Sequence, residues 1–211
     1  MKKIGGLAIP ENVQEVCDPR HTALLVYDMQ VGICSQVGNG EATVTAVARA
    51  LSAARAARMR VAFTRHLSLP KSWMGVAQFR TAMAWQHKDE PDAVTPWFLR
   101  DSAAAQIVPQ LAPTADDAVF DKIAMSAFEG TPLATALRDC GIKTVAIAGI
   151  AMEIGIEPTV RHAVDLGFIP VIIADACGFG SKEAAGRSLE QLRFLGDALI
   201  IDVATFAQFK G

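Results

Sequence analysis

Three short segments carry residues that could do acid–base chemistry, and each follows an apolar run. Asp28 comes directly after the apolar run Ala23–Tyr27, and Lys122 closes a second such segment. The third segment, Gly149–Thr159, is a glycine-containing turn after the apolar run Thr144–Ala148. A carboxylate and an ammonium group brought together would perturb each other's pKa and could transfer a proton. A strand-to-helix turn beside them would add backbone N–H groups, which favour negative charge.

Apolar runs alternate with helical patterns along the chain, which is typical of βαβ units and a parallel sheet. Strands are predicted at Thr22–Tyr27, Arg60–Thr64, Ala118–Phe120, Thr144–Ala148, Ile169–Ile173 and Ala198–Ile201. Helices are predicted at Ala42–Arg58, Ser102–Gln110, Pro132–Cys140, Glu153–Leu166 and Lys182–Leu195. Adjacent carboxyl ends of such a sheet form a crevice, which would bring the three segments together. A plainer interpretation also stands, because an Asp after a strand is a common helix cap.

Length and composition favour one α/β domain over residues 1–211. Hydrophobic residues make up 51% of the chain, but no apolar run approaches the roughly 18 residues that span a membrane. The N-terminal apolar stretch is too short for a signal peptide, so we expect a cytoplasmic protein. A net charge of −2 gives no reason to expect a nucleic acid or a membrane as partner.

The four cysteines show neither a CxxC pair nor the spacing of zinc ligands, so we expect free thiols. Cys140 and Cys177 lie among apolar residues and are predicted to be buried. Cys34 lies in a loop after the first strand and could line a pocket near Asp28. We favour an unreactive thiol there, because activation would need a cation or a helix end nearby.

The segment between the second and third predicted strands is too long for a plain connection. It spans Leu67–Arg100 and contains all three tryptophans. Insertions at a strand's carboxyl end often carry binding residues, so this one is predicted to form part of a pocket, a subunit interface, or both. The candidate substrate-binding residues, including two outside the insertion, are Gln30, Gln78, Arg80, Trp97 and Glu153. We interpret His66, His87 and His162 as surface or packing residues and expect no metal.

The ordered motifs resemble the isochorismatase-like hydrolase superfamily, also called the cysteine hydrolases. They are Leu25-Val-Tyr-Asp28-Met-Gln30, Asp121 to Leu133, Gly149 to Thr159, and Asp175-Ala176. The resemblance covers the chain from about Thr22 onward. It implies a three-layer α/β/α fold with a doubly wound, six-stranded parallel sheet in the order 3-2-1-4-5-6. It also implies a cofactor-independent hydrolase that forms a homo-oligomer, a dimer or tetramer.

In the amidase members of this superfamily an Asp, a Lys and a Cys form the catalytic triad. The resemblance places Asp28 and Lys122 at the first two positions, while the cysteine position is Gly155. It further implies a cis peptide bond between Ile150 and Ala151. The backbone N–H groups of Ala151 and Gly155 would then form an oxyanion hole.

Glycine at residue 155 excludes covalent thiol chemistry at that position, because this chemistry needs a thiolate, which glycine cannot supply. The leading interpretation is non-covalent hydrolysis of a small, carboxylate-bearing substrate, with a vinyl ether such as isochorismate as the example. Asp28 would be the general acid that protonates the vinyl carbon, and water would attack the resulting cation. Lys122 would hold Asp28 and help bind the substrate carboxylate.

Two departures and two alternatives accompany this interpretation. Ala151 and Glu153 stand where isochorismatases carry a tyrosine and a histidine, so the aromatic pocket of those enzymes is not reproduced. Glu153 is either a helix cap, which we favour, or a base that orients water. The alternatives are a family member that binds a small molecule without catalysis, and an amide or thiol hydrolase that uses Cys34.

Overall fold

The computed structural model describes all residues 1–211, and its centre is a six-stranded parallel sheet. The strands are β3 (Thr22–Tyr27), β4 (Arg60–His66), β5 (Ala118–Lys122), β6 (Thr144–Ile150), β7 (Ile169–Gly178) and β8 (Leu199–Ile201). An antiparallel hairpin, β1 (Lys2–Ile4) and β2 (Leu7–Ile9), precedes them. The sheet order is β5-β4-β3-β6-β7-β8. Numbered within the sheet alone, this is the predicted order 3-2-1-4-5-6.

Helices cover both faces of the sheet. They are α1 (Val13–Val16), α2 (Val31–Cys34), α3 (Gly40–Ala56), α4 (Val76–Gln86), α5 (Leu133–Asp139), α6 (Glu157–Asp165), α7 (Lys182–Leu195) and α8 (Val203–Phe206). One apolar core joins α3 and α8 to Leu24 and Val26, and the other joins α5, α6 and α7 to Leu25 and Tyr27. Alternate residues of a strand point to opposite faces, so β3 serves both cores. The three-layer α/β/α architecture is therefore confirmed.

The observed strand and helix boundaries show where the local sequence pattern was sufficient to predict them. The strand Thr22–Tyr27 and the helix Lys182–Leu195 match their predicted bounds. The predicted helix Ser102–Gln110 is wrong, because only short 3-10 turns form at Ala103–Ala105 and Pro109–Leu111. Proline lacks the N–H group of a helix interior and clashes with the preceding turn, so Pro109 prevents a continuous helix.

The turn after β6 also departs from a regular helix. Met152–Ile156 forms a π-helical turn, and α6 begins only after it. Such turns are rare and frequently lie at functional sites. The predicted helix Glu153–Leu166 is thus two elements, and the first of them faces the carboxyl edge of the sheet.

The insertion contains a helix that the sequence pattern did not reveal. Helix α4 presents polar and apolar residues on all sides, and none of its residues is buried. Trp73, in the 3-10 turn before α4, is 76% exposed, and Val76, the first residue of α4, is 79% exposed. They are the most exposed large apolar side chains of the insertion.

All four cysteines are free thiols, as predicted. Cys177 is buried, but Cys140 is exposed and its predicted burial is wrong. Cys140 follows the last turn of α5 rather than lying within its apolar face.

None of the helices combines the length and the hydropathy that a membrane-spanning segment needs.

Candidate active site

Asp28 and Lys122 meet at the carboxyl edge of the sheet. Lys122 Nζ lies 2.6 Å from Asp28 Oδ2, and both residues are buried. Strand β4 lies between β3 and β5, and its Thr64 donates a hydrogen bond of 2.7 Å to Asp28 Oδ1. The backbone N–H of Asp28 donates to the same threonine oxygen. Sheet order therefore brings together two residues that are 94 positions apart in sequence.

The Lys122 ammonium group has an internal acceptor for each of its three protons. Besides Asp28, it donates to the Tyr27 hydroxyl at 2.9 Å and to the Ala124 carbonyl at 3.1 Å. Its side chain is fully shielded from solvent. Because an ammonium group has three donors, Lys122 has none left for a substrate carboxylate. It positions Asp28 and Tyr27, and the predicted contact with substrate is not supported.

Tyr27 is a site residue that the sequence analysis missed. Its hydroxyl donates to the Met125 carbonyl and accepts from Lys122. Burial, together with the charge of Asp28, raises the Tyr27 pKa well above its ordinary value, so the phenol is neutral. A Cβ atom at Gly155 would collide with the hydroxyl and lie 2.7 Å from ring atom Cε1. Tyr27 therefore fills the space that a side chain at residue 155 would need.

Gly149 is required by the same tyrosine. Its φ angle is +139°, and a Cβ atom there would lie 2.8 Å from the backbone nitrogen of Tyr27. The two residues are paired in the parallel ladder between β3 and β6. Only glycine accommodates both this backbone conformation and the close approach of the neighbouring strand.

The turn after β6 has the predicted cis peptide bond between Ile150 and Ala151. The predicted oxyanion hole is only partly available, because the Gly155 N–H donates to the Ala151 carbonyl at 3.1 Å. Of the predicted pair of donors, this leaves the Ala151 N–H at the cleft. The oxyanion hole stays a prediction.

Glu153 caps a helix, although not its own. Its Oε1 accepts hydrogen bonds from the N–H groups of Gly180 and Ser181, at 2.8 and 2.7 Å, just before α7. Its Oε2 is buried without a hydrogen-bond partner. An internal carboxylate thus occupies N–H groups that a substrate anion could otherwise use.

A cavity of about 670 Å³ opens over these residues and is lined by Tyr27, Asp28, Ala151 and Gly155. Its volume is typical of small-molecule sites. Asp28 is the one Asp, Glu, Lys or Arg residue among its lining residues. His66 also lines it, and burial lowers the pKa of that imidazole, with a further lowering by the Lys122 charge. The cleft is therefore mostly apolar, with one carboxylate at its floor.

Comparison with known proteins places this geometry in a family. A family model described as the isochorismatase domain matches residues 22–205. The chain belongs to the isochorismatase family. It is 33% identical over 171 residues to YecD of Escherichia coli O157:H7, described as an uncharacterized isochorismatase family protein, covering 81% of this chain and 87% of that protein.

Two further relatives extend the comparison. A ureidoacrylate amidohydrolase, RutB of Methylobacterium radiotolerans, is 28% identical over 225 residues, covering 98% of this chain and 86% of that protein. The crystal structure of a cysteine hydrolase from Pseudomonas syringae pv. phaseolicola 1448A superimposes with a TM-score of 0.78 at 23% identity. It covers 92% of this chain and 94% of that one, and shows the common fold.

The predicted substrate-binding residues of this family member divide into two groups. Gln30 is fully buried, and its side-chain amide bonds to the backbone of His66 and of Ala105. Arg80 is exposed and lines neither the cleft nor the pocket beside it. Both predictions are corrected, because Gln30 bonds to the end of β4 and to the 3-10 turn at Ala105, and Arg80 lines neither pocket.

Gln78 and Trp97 do lie at the site. Gln78 lines an apolar side pocket beneath α4, and its Oε1 is buried without a hydrogen-bond partner. Four residues line both the side pocket and the cleft, namely His66, Trp85, Trp97 and Met125. Residues of the insertion thus form one wall of the cleft.

The structure also shows where the histidines and Cys34 lie relative to the cleft. His162 Nδ1 lies 2.9 Å from Ser126 Oγ and is a packing residue, as predicted, whereas His66 and His87 line the cleft. The Cys34 thiol packs against the core, and burial raises its pKa to about 11. Cys34 is absent from the cleft lining. A thiol mechanism at Cys34 has no support in this geometry.

Proposed function

We propose that this isochorismatase-family protein is a hydrolase that activates water directly, without a covalent thiol intermediate, on a small uncharged carboxamide. The observation that carries the proposal is the buried Asp28–Lys122 pair at the floor of an apolar cleft. The absence of a side chain at residue 155, where Tyr27 fills the space, supports a mechanism without a nucleophile at that position.

The reaction needs one proton-transfer group. The Asp28 carboxylate takes a proton from a water molecule as the water oxygen attacks the amide carbon. The Ala151 N–H stabilises the negative charge that develops on the carbonyl oxygen. The carbon–nitrogen bond then breaks, and Asp28 returns the proton to the leaving amine. Lys122 and Thr64 hold the carboxylate in one orientation throughout.

Charge argues for an uncharged substrate rather than the carboxylate expected from sequence. Lys122 is buried and fully hydrogen-bonded, and Glu153 already occupies the N–H groups of Gly180 and Ser181. A substrate carboxylate in the cleft would therefore lose hydration without gaining a cation, which is costly. The apolar side pocket, with the unpartnered Gln78 oxygen, fits an apolar group that bears one hydrogen-bond donor.

The state of Asp28 favours amide over vinyl ether hydrolysis. Protonation of a vinyl ether requires the acid form of Asp28. Here Asp28 is paired with Lys122 and accepts a hydrogen bond from Thr64, which are contacts to a carboxylate. The amidohydrolase name of RutB, a relative that aligns with almost the whole chain, supports the same reaction class.

One observation favours a second candidate, a family member that binds a small molecule without catalysis. All three protons of Lys122 have acceptors within the protein. This complete internal hydrogen bonding is also what we expect if the Asp28–Lys122 pair only stabilises the fold. This candidate and the first predict the same binding cleft and differ in turnover.

The proposal covers residues 1–211 as one domain with a small-molecule partner. We propose that the chain forms a homo-oligomer, a dimer or tetramer, through the insertion. The exposed Trp73 and Val76 beside α4 support this assignment. Association through this surface would leave the side pocket beneath α4 at the edge of the interface.

Turnover of a defined panel tests the proposal. The panel is benzamide, nicotinamide, hexanamide and isochorismate, assayed with the unmodified protein and with Asp28→Asn. We expect amide hydrolysis that Asp28→Asn lowers by about 100-fold or more, because general-base catalysis contributes about 10²–10⁴-fold. Asp18→Asn is the matched control, since Asp18 pairs with Arg20 on the surface, and it should leave turnover unchanged.

The other outcomes each contradict the proposal. Turnover of isochorismate alone would indicate the vinyl ether reaction. Thermal stabilisation by an amide that is never hydrolysed would indicate the binding protein. Loss of amide turnover after iodoacetamide treatment would indicate a thiol reaction, because alkylation blocks cysteine nucleophiles.

A further inference from the structure

We propose that His66 is a substrate-positioning residue of the cleft, and that its imidazole accepts a hydrogen bond from the N–H group of a carboxamide. The cleft thereby selects amides that carry an N–H group over esters, ketones and fully substituted amides. His66 transfers no proton in this proposal. The inference rests on the proposed amide hydrolysis for its ligand class, but its test measures binding and is independent of turnover.

The backbone of His66 is held in place at the end of β4. In the parallel ladder between β4 and β5, His66 pairs with Lys122. The buried side chain of Gln30 bonds to both backbone groups of His66. It accepts from the His66 N–H at 2.6 Å and donates to the His66 carbonyl at 3.0 Å. The backbone therefore cannot shift without breaking two hydrogen bonds.

The imidazole ring is held in place as well. It packs against the ring of Phe98, with 6.1 Å between the ring centroids and 82° between the ring planes. This edge-to-face arrangement is a preferred geometry of aromatic pairs, and Phe98 is itself buried. A ligand in the cleft therefore meets an imidazole that is already ordered, which reduces the entropy cost of binding.

The imidazole is a neutral hydrogen-bond acceptor. Burial lowers its pKa and the Lys122 charge lowers it further, while the Asp28 charge and a backbone hydrogen bond with Ala124 oppose the change. The ring is therefore uncharged at pH 7. One nitrogen of a neutral imidazole carries the proton, and the other has a free lone pair. His66 lines the cleft, so this lone pair is available to a ligand there.

The cleft offers few other acceptors for a buried N–H group. The side-chain oxygens of Tyr27 and Asp28 already bond within the protein. The other side chains of the lining that could accept a hydrogen bond are exposed to solvent, namely Gln36, His87 and Ser181. An amide N–H that enters an apolar cleft without finding an acceptor loses its hydrogen bond to water, which is costly. His66 supplies the acceptor.

Two ligands of the same shape test this hydrogen bond. Benzamide carries an NH2 group where acetophenone carries a methyl group, and both have the carbonyl oxygen. Chemical-shift titrations give the two dissociation constants for the unmodified protein, His66→Leu and His66→Gln. His21→Gln is the matched control, because His21 is exposed, bonds to the Gly141 carbonyl and directly precedes β3, at the opposite edge of the sheet.

The unmodified protein and His21→Gln should bind benzamide about 3–10-fold more tightly than acetophenone, the factor expected for one net hydrogen bond. His66→Leu should lose this preference through weaker benzamide binding, and His66→Gln, which keeps an acceptor, should retain it. Equal weakening of both ligands in His66→Leu would show a purely structural role and overturn the proposal. So would an unchanged preference, or an unmodified protein that does not bind benzamide.

Turnover separates this inference from the proposed hydrolysis. Selective binding of benzamide without its hydrolysis would support the role of His66 and contradict the proposed reaction. Hydrolysis of benzamide with the same preference in His66→Leu as in the unmodified protein would support the reaction and remove His66 from it.

The pH dependence of binding gives a second readout. Benzamide binds the neutral imidazole, so it should lower the His66 pKa further, and its affinity should fall as the pH drops through that pKa. The charged and titratable groups that face the ring are Asp28, Lys122 and His87, and the side pocket adds none. Their contribution remains in His66→Gln, in which the loss of affinity at acid pH should be smaller.

Nitrogen NMR of the four imidazoles follows this titration. The signal that is absent from His66→Gln identifies His66. A lower His66 pKa in saturating benzamide than in saturating acetophenone would support the proposal. Equal pKa values with the two ligands would overturn it.

Discussion

The floor and the wall of the cleft differ in how their polar groups are satisfied. The floor, formed by Tyr27, Asp28, Thr64 and Lys122 at the strand ends, is buried, and its side chains hydrogen-bond to one another. The wall, formed by the insertion with α4, has no buried residue in its helix and leaves Gln78 Oε1 without a partner. A buried network in which every polar group is hydrogen-bonded is rigid. A buried polar atom without a partner is available to hydrogen-bond to a ligand. The floor is therefore suited to chemistry, and the wall to choice of substrate.

Breaking the floor should have the largest effect on stability. Lys122→Met removes the ammonium group and leaves the Asp28 carboxylate buried without its ion-pair partner. Loss of one partner of a buried pair costs about 3–5 kcal/mol, so we expect the free energy of unfolding to fall by that amount. Urea denaturation followed by circular dichroism measures the change.

The matched control removes both charges. Lys122→Met/Asp28→Asn leaves no buried unpaired charge, so it should be more stable than Lys122→Met alone. If both proteins lose the same free energy, the pair does not govern the stability of the floor. In that case floor and wall would no longer differ in how much their polar groups contribute to stability.

His66 lies where the floor meets the wall, and it should make stability depend on pH. Burial is the main cause that lowers its pKa, Lys122 lowers it further, and Asp28 partly opposes the change. The unfolded chain therefore binds a proton below pH about 6.5 that the folded protein does not bind. The free energy of unfolding should accordingly fall as the pH drops from 7.5 to 5.

The variant His66→Gln isolates this contribution. It keeps the backbone bonds between residue 66 and Gln30, because these do not involve the imidazole. Urea denaturation at both pH values should show a smaller loss of stability in the variant than in the unmodified protein. An equal loss in the two proteins would show that His66 does not titrate as described.

The smallest effect on stability is expected at the wall, and its sign differs from that at the floor. Gln78→Leu removes a buried oxygen that has no partner, so stability should stay unchanged or rise by up to about 1 kcal/mol. Gln86→Leu, on the same helix, is the matched control. It removes two hydrogen bonds to Thr95 and should lower stability by about 1 kcal/mol. Equal losses in the two variants would show that Gln78 is satisfied after all.

Much of the fold was predictable because its signals are local. Buried strands such as Thr22–Tyr27 are continuous apolar runs, and α7 has an amphipathic pattern with Ser181 as its N-cap. Helix α4 was missed because it lacks a buried face, so no periodicity marks it. The helix predicted at Ser102–Gln110 failed because a proline interrupts an alanine-rich segment that has otherwise high helix propensity.

The candidate site was predictable only in part. Asp28 and Lys122 stand out because charged residues directly after apolar strands gather at one edge of a parallel sheet. The partner of Glu153 was not predictable, because a carboxylate near one helix can cap another that approaches it in space. Gln30 was mistaken for a binding residue for the same reason, since its three hydrogen bonds join segments distant in sequence.

The sequence by itself determined the six-stranded sheet, the positions of Asp28 and Lys122 at strand ends, and the lack of a thiol at residue 155. These follow from residue type and short-range periodicity. Only the tertiary structure decided that Tyr27 fills the space beside Gly155 and that Lys122 has no proton free for a substrate. The physical reason is that steric exclusion and hydrogen-bond saturation depend on atoms from several strands meeting within a few ångströms, which no local pattern encodes.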